Sequence, residues 1–189
     1  MSHSENNMKV WDLAVRIGHW TLVVAFFAAY FTEDEFLTVH VWAGYVIGAV
    51  VCFRLLWGFV GGGHAQFSDF VRSPMAALEY VTSLVRNKSQ RYIGHNPAGG
   101  IMILLLLMFL FVTVFSGVVL YGIEEGAGPL AAWVSAYADS EDLWEEVHEV
   151  FANLTLLLVV MHVAGVLMSG RAHKENLIKA MLTGRKKAN

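Results

Sequence analysis

Residues 147–168, VHEVFANLTLLLVVMHVAGVLM, decide how the chain is read. They form an apolar run of 22 residues, long enough to cross a ~30 Å hydrocarbon layer as a helix at ~1.5 Å per residue. In lipid a helix satisfies its own backbone, so the run should be helical. It carries two histidines, His148 and His162, fourteen residues apart. At ~100° per residue the interval falls ~40° short of four turns, so both imidazoles leave one face, ~21 Å apart along the axis. One such helix can serve two metal centres and cannot bring both rings to one.

Three more apolar runs precede it, at about 13–31, 39–60 and 101–121. The chain is 56% hydrophobic, above the ~45–50% usual for a soluble domain. Together the runs predict an all-α fold: an integral membrane four-helix bundle forming a single domain over residues 1–189. The first run is too long for the apolar core of a cleaved leader, and no small-residue cleavage site follows it before Glu33-Asp34-Glu35. The single cysteine, Cys52, lies inside the second span and reads as a small buried residue.

Charge orients the bundle. All thirteen Lys and Arg lie on one side of the spans, and eleven of the sixteen acids lie on the other. The positive-inside rule puts both termini and the 61–100 loop in the cytoplasm, and the acidic loops 32–38 and 122–146 in the periplasm of a bacterial inner membrane. Neither composition nor charge suggests nucleic acid as a partner; the lipid bilayer is the implied one. The cytoplasmic loop opens with a flexible Gly61-Gly62-Gly63. Ser73-Pro74 is a cap and first-turn pair, and Leu78, Val81 and Val85 follow at helical spacing. A second short helix should follow Gly170, with Leu177, Met181 and Leu182 among basic residues. Both are expected to be interfacial. On the opposite side, Trp133, Tyr137 and Trp144 suit an aromatic belt, and Pro129–Ala138 is a candidate short helix.

Of eight histidines, His3, His64 and His173 read as surface residues. Four others match in depth. His19 is the seventh residue of its span from the basic side, and His162 is seven from the same end of its own. His40 and His148 are each second in their spans from the acidic side. Ionisable residues inside a membrane are costly and point to function. Small metal ions usually recruit Cys, Asp, Glu or a third His, whereas a porphyrin already supplies four nitrogens. The residues therefore predict two haems, ligated by His19 with His162 and by His40 with His148. Gly18, Gly44, Gly48, Ser116-Gly117 and Gly165 are small neighbours that would admit a flat macrocycle, or serve plain helix packing. No C-x-x-C-H motif is present, so the haems would be b-type. The alternative from a different class is a haem-free proton or metal transporter using the same histidines.

The chain resembles the bacterial cytochrome b-561 and nickel–iron hydrogenase b-type cytochrome superfamily. The segments that carry this are Val10-Trp11-Asp12, Arg16–Trp20, His40–Tyr45, Arg54–Gly58, Phe67–Phe70, Arg91–Gly100, Leu120-Tyr121-Gly122, and the pair His148 and His162. The resemblance implies two b haems held by the first, second and fourth helices, with the same pairing. It singles out Gly94-His95-Asn96-Pro97 at the start of span three. His95, with Asn96, would meet a haem propionate or line a quinone pocket, or else cap the helix. Arg16 and Arg54 stand near the inner haem level, as propionate partners or simply as inside-positive charge. The implied function is transmembrane electron transfer between quinone or quinol and a periplasmic redox partner such as a cytochrome c, in effect a quinol:cytochrome c oxidoreductase. The 122–146 loop, with seven acids and no base, would steer a basic partner. Two competitors are a membrane-anchor subunit of a larger, hydrogenase-like oxidoreductase and a superoxide:quinone oxidoreductase. A homodimer or larger complex would cover remaining helix faces.

Overall fold

The computed structural model describes residues 7–33 and 35–188, so His3 and Asp34 lie outside the described residues. Four long helices dominate: α1 (Leu13–Tyr30), α2 (Leu37–Val60), α5 (Pro97–Glu124) and α7 (Glu141–Ala172). All four are long and apolar enough to cross a membrane. Their large side chains confirm the setting, because Val24, Leu56, Phe59, Met108 and Leu157 stand exposed on the long helices. Continuous apolar surface of this kind belongs in lipid. The protein is an all-α membrane bundle.

Three of the long helices run past the ends of their apolar runs. α7 begins at Glu141 and continues through Gly170 to Ala172, and α5 begins at Pro97. Hydropathy marks where lipid begins, while the backbone ladder continues into the polar flanks. Acids at Glu141 and Asp142 suit a helix N-terminus. Cys52 is exposed, contrary to the buried reading. In a bilayer the outward face of a helix is itself apolar, so a small apolar residue needs no protein cover.

The chain divides into two compact units, and each long helix contributes a segment to both. The first comprises the chain up to Trp20, Arg54–Leu104, and Val160 onward. It holds the short elements α3 (Phe67–Phe70), α4 (Pro74–Val85), α8 (Leu177–Thr183), and two short strands, β1 (Asn7–Lys9) and β2 (Arg185–Lys187). Ser73 caps α4 by accepting from Ala76 N, with Pro74 in the first turn. Met75, Leu78, Val81 and Val85 stay exposed, while Tyr80 is buried. Gly63–Ala65 forms a single tight helical turn where a flexible exit was expected.

The two strands pair antiparallel, Met8 opposite Lys186, and were not foreseen. Gly184, at φ +78°, ends α8 in the left-handed region and turns its carbonyl to Val10 N and Trp11 N at 2.8 and 3.2 Å. Glu175 binds Arg91 at 2.6 Å and Lys186 at 3.4 Å. Burial lowers the Lys186 pKa, and Glu175 opposes that shift.

The second unit comprises Thr21–Phe53 and Leu105–Val159. Val51, Ile47, Phe26, Leu107 and Val119 form its core, with Ser116 and Thr155 fully buried. Tyr30 Oη donates to Asn153 Oδ1 at 2.9 Å. α6 (Ala131–Val134) and a distorted helical turn at Ser135–Ser140 occupy the predicted 129–138 helix.

Candidate functional site

In the second unit, His40 on α2 and His148 on α7 face each other with ring centroids 5.9 Å apart. Both rings are held from behind. His40 Nδ1–H donates to Ala29 O at 2.9 Å, and His148 Nδ1–H donates to Thr113 O at 2.8 Å, with Ser116 Oγ at 3.2 Å. A carbonyl can only accept, so each neutral ring carries its proton on Nδ1 and leaves the Nε2 lone pair free. Metal-binding histidines are oriented in this way. Gly117 permits the approach, since a β-carbon there would lie 2.7 Å from His148 Cε1. The two histidines line an open cavity together with Phe26, Gly44, Tyr45 and Tyr121.

In the first unit, His19 on α1 and His162 on α7 have ring centroids 6.4 Å apart. Here the support differs. His19 Nδ1, Trp20 Nε1, Arg54 Nη1 and His95 Nδ1 are buried without a hydrogen-bond partner among the described residues. Arg54 is buried, with its guanidinium over Phe67 at 5.1 Å and Phe70 at 5.9 Å. His95 lies against Trp11 and Phe70, centroids 4.4 and 4.7 Å away. Burial, followed by the nearby Arg54 charge, pushes its pKa down to about 3, so it is neutral at physiological pH.

Metal–imidazole bonds are ~2.0–2.1 Å, and a ring centroid lies ~1.1 Å behind its nitrogen, so two imidazoles sharing one metal ion head-on stand ~6.3 Å apart. Both pairs are close to that separation. Among the described residues no cluster of three or more His, Cys, Asp or Glu could hold a metal ion, so the histidines meet only as pairs. A β-carbon at Gly44 would meet nothing within 4 Å, which leaves open space in the cavity it shares with His40. Paired imidazoles at this separation, with a cavity beside one pair and unmatched buried donors in the unit of the other, fit a haem.

Residues 10–184 match the prokaryotic cytochrome b561 family. The chain belongs to that family. It is also 25% identical over 217 residues to a probable Ni/Fe-hydrogenase B-type cytochrome subunit of Azotobacter vinelandii, covering 93% of this chain and 86% of that protein. No solved structure matches it.

Other anticipated residues fall differently around the cytochrome's histidines. Arg16 turns to the end of α8, donating to Met181 O and Leu182 O. Asn96 caps α5 by accepting from Gly99 N at 2.8 Å, so the cap does not need His95. His64 pairs with Asp69 at 2.7 Å, and His173 lies 3.4 Å from Tyr80 Oη and 3.3 Å from Ser89 Oγ. Both have more defined surroundings than the surface reading gave them. Asp12 was not anticipated. It caps α1 through Val15 N at 2.8 Å and accepts from Trp57 Nε1 at 3.0 Å. An Asp just before an apolar run is a cap signal, but the Trp57 contact spans 45 residues and has no local signature.

Proposed function

We propose that this membrane cytochrome carries electrons across a bacterial inner membrane through two b haems, between quinone or quinol and a periplasmic redox partner such as a cytochrome c. His19 and His162 ligate the inner haem, and His40 and His148 the outer one. The observation that carries the reading is the separation of the paired rings, 6.4 and 5.9 Å, each fitting one metal between two imidazoles. The four histidines would hold the haem irons, and haem bound there would supply reversible one-electron chemistry.

The protein's own residues set the surroundings. Ala29 O and Thr113 O fix the outer rings with Nε2 forward. Arg54, buried with a free Nη1, pairs with an inner propionate. Arg16 is less suited to that role, because its guanidinium already serves the end of α8. His95, neutral and unpartnered at Nδ1, can donate to or accept from a quinone oxygen or a propionate. Asn96 retains its amide NH₂ for the same pocket after capping α5. The basic termini face the cytoplasm, and the acidic 122–146 loop faces the periplasm and attracts a basic partner. An electron moving outward then runs with an inside-negative potential, worth ~2.3 kcal/mol per 100 mV.

A second reading is that the chain anchors a larger redox enzyme and passes its electrons to quinone. The name of the Azotobacter vinelandii relative favours it. Proteoliposomes separate the two. Quinol-dependent reduction of external cytochrome c well above that of empty liposomes supports the first, and no such reduction rejects it. A stable large partner retained through purification supports the second.

A further inference from the structure

The cavity beside His40 and His148 has polar side chains beyond its histidines. They are Tyr30, Glu33, Tyr45, Thr113 and Tyr121. Most are committed. Tyr30 Oη donates to Asn153, and Thr113 Oγ1 donates to Phe109 O at 2.9 Å. Glu33, when ionised, can only accept. The hydroxyls of Tyr45 and Tyr121 remain, and neither has a hydrogen-bond partner among the described residues.

These two rings meet under one loop residue. A β-carbon built at Gly128 would lie 2.9 Å from Tyr45 Oη and 3.0 Å from Tyr121 Cδ1. Gly128 has φ +88°, a conformation glycine adopts without steric cost, and its lack of a side chain lets the loop close over both rings. The cluster draws on α2, α5 and the loop after α5.

Haem brings two carboxylates, and a carboxylate leaving water needs hydrogen-bond donors or a cation. No Lys or Arg lines this cavity. We propose that the Tyr45 and Tyr121 hydroxyls donate hydrogen bonds to the propionates of the haem held by His40 and His148. The outer haem is then seated by neutral donors, in contrast to the Arg54 cation of the inner one. This rests on the two-haem reading above.

The test uses the full-length haem-loaded protein in detergent, comparing wild type with Tyr45→Phe, Tyr121→Phe and the double variant. Haem per chain, haem transfer to excess apomyoglobin and the propionate bending bands in resonance Raman are recorded, with the inner haem as internal reference. Each hydrogen bond to a charged group contributes ~1.5–3 kcal/mol, so each single change should speed outer-haem loss roughly tenfold to a hundredfold. The outer propionate band should shift, and the inner haem should stay. Outer-haem release and Raman bands unchanged in both single variants and in the double variant would overturn the proposal. Should the double variant lose both haems, the single variants decide by the same criteria. A wild-type protein with fewer than two haems would instead fail the underlying two-haem reading.

Discussion

Both rings of the His40–His148 pair give their Nδ1–H to main-chain carbonyls, Ala29 O and Thr113 O. In the His19–His162 pair, His19 Nδ1 is buried without a partner, and so are Trp20 Nε1, Arg54 Nη1 and His95 Nδ1 nearby in the same unit. One pair is oriented by the backbone of neighbouring helices. The other sits among donors and a cation whose natural counterparts are a cofactor's carboxylates or a polar ligand. Similar ring separations are therefore reached by different means, and substitutions around the two pairs should have different consequences.

The largest effect is expected from the histidines. Replacing His148 with Ala should take the protein from two haems per chain to one, keeping the inner haem's spectrum. His162→Ala should keep the outer haem instead. Pyridine haemochrome quantification with low-temperature spectra distinguishes them, and retention of two haems in either variant would break the pairing.

Gly117→Ala probes the backbone-held pair alone. The added methyl meets His148 Cε1 at 2.7 Å, and such overpacking typically costs about 1–3 kcal/mol. Outer-haem affinity should fall roughly five- to 150-fold, read by apomyoglobin transfer. An equal loss at both haems would erase the distinction between the pairs.

Arg54→Gln probes the other pair. Removing a positive charge favours the oxidised iron, so the inner midpoint potential should drop by roughly 40–90 mV, equivalent to about 1–2 kcal/mol. Potentiometric titration should show the outer potential unmoved. A rise, or no change, would remove Arg54 from the inner site.

The smallest effect is a pH slope. Burial holds the His95 pKa down at about 3 in the folded chain, against about 6.5 for an ordinary histidine. Its contribution to stability is complete above 6.5 and is lost as pH falls toward 3, because the unfolded chain binds the extra proton. Well inside that window one such group gives about 1.4 kcal/mol per pH unit. Thermal unfolding in detergent between pH 7 and 4.5 should be less pH-dependent in His95→Gln, and identical slopes would contradict a buried neutral His95.

Much of this arrangement is legible in the chain itself. The four spans follow from hydropathy, and α4 from Ser73-Pro74 and the Leu78, Val81, Val85 spacing. The depth matches of His19 with His162 and His40 with His148 reappear as facing rings. What could not be read comes from contacts between distant segments. The pairing of Met8 with Lys186, the bond from Trp57 to Asp12 and the meeting of Tyr45 with Tyr121 join residues that share no local pattern. Arg16 shows the limit from the other direction. Its position near the inner histidine suggested a cofactor contact, yet the α8 carbonyls lie within its reach.

The most direct test is a dithionite-reduced minus oxidised spectrum of the purified protein, with haem counted per chain by pyridine haemochrome. Two low-spin b haems per chain are the expected result. One haem would leave a histidine pair without its metal, and none would contradict the account and return the four histidines to a proton or ion relay.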